Sequence, residues 1–207
     1  MSWTQQAIHF VDFEGSLVSG IVEYGVVTLR DGAVVGTATR RCRPTGRVRE
    51  EDVAVHGLDA AALAGEAPLA DDFARFTAWR ESGPLAAHFA GTENALLKAV
   101  WHYPRSSPDF TRPGRPAADW GPWIDSGALY RQFYPRLLSF KLAEVVAVCE
   151  LQGELDTLAA SHCPPDRCRY HAALYDALAG ALLLLYLARD PQLAQLSVMQ
   201  LLALSTL

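Results

Sequence analysis

Residues 7–14, Ala-Ile-His-Phe-Val-Asp-Phe-Glu, form a mainly apolar run that ends in Asp12-Phe13-Glu14 and reads as a strand. Successive side chains of a strand point to opposite faces, so Asp12 and Glu14 share one face and Phe13 lies on the other. Two further apolar, β-branched runs, 21–29 and 33–41, flank Arg30-Asp31-Gly32. Asp-Gly between such runs is a strong hairpin signal, so the chain is expected to open with a three-stranded antiparallel meander. Residues 69–81 place Leu69, Phe73, Phe76 and Trp79 on one helical face. A short buried strand is expected over 85–89, after Gly83-Pro84. A helix then follows to about 101, with Thr92 as its N-cap and Glu93 in its first turn.

Residues 103–122 are rich in proline and arginine and show no period, which reads as a surface insertion. A short strand is expected over 123–125. Helices are expected over 126–133, 141–151, 155–161, from 172 onward, and over 191–204. The order of elements predicts a single mixed α/β domain over 1–207, with the meander joined to strands reached through helical crossovers.

Two carboxylates side by side on a strand repel unless a cation lies between them, and hard oxygen ligands favour magnesium or manganese. Taken alone, Asp12 and Glu14 also fit a solvated strand end. A second cluster, His171-x4-Asp176, changes the picture. On the helix after 171, Asp176 falls on a face with Ala172, Ala173, Ala179 and Gly180, and side chains this small allow close approach to a strand carrying Asp12. Five residues is about 140° of helical turn, so His171 converges with Asp176 only if it lies before the helix or in its first turn. Carboxylates holding metal beside a histidine suit hydrolysis of a phosphodiester, with histidine taking the proton of the attacking water.

These motifs together resemble the DEDD exonuclease superfamily, histidine subtype, the group of ribonuclease T, oligoribonuclease and the proofreading subunit of bacterial replicative polymerase. Asp12-Phe13-Glu14 resembles its first motif and His171-Ala-Ala-Leu-Tyr-Asp176 its third. Ala87-His88-Phe-Ala-Gly-Thr-Glu93 resembles the second, usually His-Asn-Ala-x-Phe-Asp. Here Phe89 replaces the usual Asn and Glu93 the Asp. Val55-His56-Gly57-Leu58 resembles the His-Gly-Ile segment near the terminal nucleotide, and Trp123-Ile-Asp125-Ser an Ile-Asp-Thr strand.

The resemblance spans about 7–187 and implies a ribonuclease H-like fold and release of nucleoside monophosphates from the 3′ end of single-stranded DNA or RNA. It implies two Mg²⁺ or Mn²⁺ ions on Asp12, Glu14, Glu93 and Asp176, with His171 as general base. It also implies substrate contacts from Phe13, His56, Gly57 and Leu58, and partners that include a second copy or a polymerase. The rival readings are a nuclease-like module that binds without cutting, and another ribonuclease H-like enzyme such as an endonuclease.

Composition sets bounds. A net charge of -5 excludes a broadly basic, duplex-coating surface. No basic leader is visible, and the apolar run over 177–188 is shorter than the ~20 residues of a membrane span, so a cytoplasmic protein with reduced cysteines is expected. His162, Cys163, Cys168 and His171 fit no common zinc spacing. His9 and His88 are expected as hydrogen-bonded structural histidines, and Trp120 and Trp123 as packing residues. Arg40, Arg41, Arg43, Arg47 and Arg49 fit a solvated loop and a phosphate-binding rim equally.

Overall fold

The computed structural model describes residues 2–206. Three strands, β1 (Ile8–Ser16), β2 (Gly20–Arg30) and β3 (Ala33–Arg41), form the expected antiparallel meander. Beyond β1 the sheet turns parallel. β4 (Leu85–Ala87) pairs with β1, and β7 (Ile124–Asp125) with β4, giving the order β3-β2-β1-β4-β7. The result is the expected mixed five-stranded sheet flanked by helices.

Alternation along β1 divides the core in two. Ile8 and Phe10 join Val27 and Leu29 of β2 in one cluster, beneath α7 (Ala173–Leu187) and beside α4 (Ser126–Phe133), α5 (Leu142–Val148) and α6 (Gln152–His162). Val11 and Phe13 face the other way, into a cluster with α2 (Phe73–Ser82) and α3 (Ala90–Val100). Phe13 packs on Phe76 at 5.8 Å between ring centroids. Asp12 and Glu14 therefore continue the face that begins with Ile8 and Phe10, where the strand emerges from under α7.

Close approach of α7 to the sheet depends on missing side chains. A Cβ at Gly25 of β2 would lie 2.3 Å from the Ala173 backbone, and one at Gly180 would lie 2.1 Å from the Phe10 ring. The stripe of small residues thus does what its sequence suggests.

Several elements depart from the sequence reading. A helix α1 (Glu50–His56) lies in the arginine-rich stretch and ends on Gly57, whose φ of 77° needs no Cβ. The first turn over Leu69–Asp72 is 3₁₀, and α2 starts only at Phe73. Thr92 is not an N-cap. α3 begins at Ala90, capped in position by Phe89, and Thr92 donates its amide to the Phe89 carbonyl at 3.2 Å. The single helix expected over 191–204 is two pieces, α8 (Pro191–Ala194) and α9 (Val198–Leu204), because Ser197 and Gln200 close a new capping box.

The segment 103–122 is held rather than loose. It contains a small hairpin of β5 (Ser107–Pro108) and β6 (Pro116–Ala117). Buried Arg80 donates to the carbonyls of Pro108, Trp120 and Gly121, each at 3.0 Å. Trp120 is fully buried and its indole N–H bonds the Trp101 carbonyl. Among the described residues no helix is long and apolar enough to cross a membrane.

Candidate active site

β1 delivers Asp12 and Glu14, α3 delivers Glu93, and the start of α7 delivers Asp176. His171 precedes α7 in a left-handed backbone conformation, φ 61°, which meets the condition for convergence with Asp176. Its amide donates to Asp176 Oδ2 at 3.0 Å. Side-chain ligand atoms of Glu14, His171 and Asp176 all lie within 4.8 Å of one another. Asp12, His171 and Asp176 line a 350 Å³ cleft with Phe89, Tyr170 and Lys141.

Crowding of carboxylates in a buried place appears in their protonation. Burial first, then the charges of Glu93, Asp176 and Glu14, hold Asp12 well above the usual carboxylate range. Glu14 is raised to about 8 by burial and by Asp176 and Glu23, with Arg167 opposing. Burial raises Glu93 to about 8 against a hydrogen bond from the Phe13 backbone. Burial also raises Asp176 to about 7, opposed by the His171 amide and Arg167. Without a cation these groups hold protons near neutrality.

Glu93 Oε2 and Asp176 Oδ1 are buried with no hydrogen-bond partner. Orphaned anionic oxygens in such a cluster are what a divalent cation satisfies, and an all-carboxylate set with one imidazole suits a hard metal. The donor set therefore fits the metal that the sequence implies. Glu93 in place of the shorter Asp still reaches the cluster, since its charge bears on Asp12.

Phe89 occupies a left-handed position, φ 63° and ψ 58°. Asn tolerates that region better than Phe, which gives a physical reason for Asn being usual there. Here the ring is held between His88 (4.5 Å) and the Arg131 guanidinium (4.8 Å). Asp125 fixes the backbone: its carboxylate accepts from the amides of Phe89, Ala90 and Ala128 at 3.0–3.1 Å, and so binds the start of α3 to that of α4.

His56 is buried, and its Nδ1 accepts from the Leu58 amide at 3.0 Å, while Nε2 has no partner. Leu58 is also buried. The Phe13 side chain is in the core, so only its backbone faces the acidic side. His9 bonds Thr28 and Ser82, and burial lowers it to about 4. His88 bonds Ser126 and the Phe140 carbonyl. Both are structural, as expected. His162 contacts Thr37 across the fold, so the four-residue zinc arrangement does not form.

Of the arginine cluster, Arg40 pairs with Asp72 and bonds two carbonyls, Arg41 pairs with Asp166, and Arg49 with Glu51. Among the described residues Arg43 and Arg47 form no ion pair. The sequence reading missed Glu23 and Arg167, a buried ion pair at the edge of the site, with Nη2–Oε2 at 2.5 Å. A charged residue inside the apolar run of β2 was the available signal.

No family model and no curated protein matches the chain. Solved structures do match in fold. Exonuclease X in complex with 5′-overhanging duplex DNA superposes with a TM-score of 0.66 at 22% identity, over 93% of this chain and 98% of that one. The nuclease domain of 3′hExo, a DEDDh family member bound to rAMP, gives 0.63 at 14% identity, over 94% and 97%. E. coli exonuclease I in complex with a dT13 oligonucleotide gives 0.63 at 14% identity, over 91% of this chain but 42% of that one. The fold is thus that of ribonuclease H-like exonucleases. Neither a homodimer nor association with a polymerase finds support among these structures.

Proposed function

We propose that the protein is a metal-dependent 3′–5′ exonuclease that releases nucleoside monophosphates from the 3′ end of single-stranded DNA or RNA. One observation carries the reading: Glu14, His171 and Asp176 bring ligand atoms within 4.8 Å of one another, Asp12 lines one cleft with His171 and Asp176, and buried carboxylate oxygens of Glu93 and Asp176 have no partner. The match in fold to exonuclease structures holding DNA or a ribonucleotide supports it.

Asp12, Glu14, Glu93 and Asp176 would hold two Mg²⁺ or Mn²⁺ ions. When bound, these supply charge neutralisation and polarisation of the scissile phosphate. The chain's own residues do the rest. An imidazole nitrogen of His171, exposed at the cleft, accepts the proton of the attacking water as the phosphorus–O3′ bond breaks. Asp176, by accepting from the His171 amide, holds that residue's backbone in its unusual conformation. The His56-Gly57-Leu58 segment and the Phe13 backbone border the terminal nucleotide. A Cβ at Gly57 would meet Arg169 Nη2 at 2.5 Å, so glycine there makes room for that guanidinium beside the segment.

The test is digestion of 5′-labelled DNA and RNA oligonucleotides, with free and blocked 3′ ends, in Mg²⁺, Mn²⁺ or EDTA. The expected result is a ladder shortening from free 3′-hydroxyls only with metal, abolished in Asp12→Asn. Cutting in EDTA, or by Asp12→Asn at the wild-type rate, overturns the reading.

A further inference from the structure

Arg167 is 4% exposed, and its guanidinium has no free side. Nε and Nη2 donate to the two oxygens of Glu23 at 3.0 and 2.5 Å. Nη1 donates to the His56 carbonyl at 2.6 Å, and Nη2 also to the His171 carbonyl at 3.0 Å. Glu23 in turn accepts from the Ala173 amide at 2.9 Å. One ion pair therefore joins β2, the end of α1, the segment before α7 and the first residue of α7. We propose that Glu23 and Arg167 are positioning residues of the active site, setting the His171 and His56 segments against the carboxylates of β1. The proposal rests on the exonuclease reading.

Stability alone is a poor reason for this pair. Desolvating two charges costs about as much as their attraction returns, and apolar residues of similar volume commonly do as well. What the pair provides is fixed geometry: a planar fork matched to a carboxylate, with donors left over for carbonyls. His171 needs that geometry. Its left-handed backbone is unfavourable for a residue with a Cβ and persists only where surrounding contacts dictate it. Both of its peptide groups are gripped, the amide by Asp176 and the carbonyl by Arg167. The imidazole is aimed as a consequence.

The register places the pair correctly. Glu23 lies opposite Glu14 in the β1–β2 ladder, so the fork is anchored one residue pair from the acidic cluster. The same arginine holds the His56 carbonyl, and so it couples the segment bordering the terminal nucleotide to the segment that carries the base.

The experiment compares Arg167→Lys, Glu23→Gln and the double variant Glu23→Gln/Arg167→Met with wild type, well below their unfolding temperatures. Lysine keeps the charge but cannot span both carboxylate oxygens and two carbonyls. Arg167→Lys is expected to lower kcat tenfold or more and to raise the oligonucleotide KM, with Mn²⁺ affinity by calorimetry within threefold of wild type. The double variant, with no uncompensated buried charge, should regain thermal stability without regaining kcat. Wild-type kcat and KM in Arg167→Lys or in the double variant overturn the proposal, because a merely structural pair predicts that result.

Amide exchange gives a readout independent of activity. Exchange at Leu58 and Ala173 should quicken at least tenfold in Arg167→Lys while β1–β3 stays protected. If wild type cuts nothing, the exonuclease reading has failed and this exchange pattern alone decides the clamp. Unchanged exchange at both amides overturns it.

Discussion

Glu14 and Glu23 face each other across the β1–β2 ladder, on the side covered by α7, and of these two only Glu23 has an ion pair among the described residues. Two adjacent carboxylates have thus been given different tasks. Arg167 neutralises the one at the back of the site, and the one at the front has no such partner. The consequence is a cluster whose protonation, metal affinity and stability are linked.

That linkage predicts an unusual pH dependence for the metal-free protein. Glu14, Glu93 and Asp176 titrate near 8, 8 and 7 in the fold against 4.5, 4.5 and 3.8 as free side chains. Between these limits the folded state binds more protons than the unfolded chain, so stability falls as pH rises through about 4 to 8 and then levels off. Metal at 100 times its Kd should restore about 2.7 kcal/mol, and at one fixed metal concentration the gain should be larger at pH 8 than at pH 6 because the ligands must be deprotonated. Thermal unfolding across pH in EDTA and in Mn²⁺ checks both signs.

His171→Ala should lower turnover by roughly 10²–10⁴-fold, the usual worth of a positioned base. Calorimetry with Mn²⁺ separates two roles, because the imidazole lies within 4.8 Å of the Glu14 and Asp176 oxygens. Unchanged metal affinity marks a base, and a parallel loss of affinity marks a ligand.

Glu93→Gln should impair hydrolysis severely and Glu93→Asp should keep partial or full activity, since the charge matters more than the length beside a divalent ion. If Glu93 served only the start of α3, loss of its charge would cost about 0.3–1 kcal/mol of stability and little turnover. Rates and unfolding midpoints for both variants distinguish the outcomes.

Asp125→Ala removes the acceptor for three backbone amides at the start of α3 and α4. Stability should fall by about 1–3 kcal/mol, and turnover should fall as well because Glu93 rides on α3. Denaturant titration together with the exonuclease assay tests the pairing of the two losses.

Gly25→Ala should cost about 1–3 kcal/mol, the usual range for overpacking, because the added methyl would press on the Ala173 backbone. Turnover should drop more than stability, since α7 carries Asp176. Gly36→Ala, where a Cβ meets nothing within 4 Å, should leave turnover at the wild-type rate.

Local pattern was enough to determine one half of this protein. An apolar run closing in Asp12-Phe13-Glu14 put both carboxylates on one strand face, Asp31-Gly32 set the hairpin, and small residues around Asp176 announced a helix lying close on a sheet. Each follows from sterics within a few residues of chain. The tertiary structure decided the rest. Glu23 finds Arg167, Asp125 finds the amides of Phe89 and Ala90, and Glu93 turns from a favourable charge at a helix start into a buried carboxylate among others. Such pairings depend on strand register and on where distant segments cross, and neither leaves a period in the sequence. Burial of charge is likewise a property of the assembled fold, because a carboxylate is desolvated only when elements remote in the chain close over it.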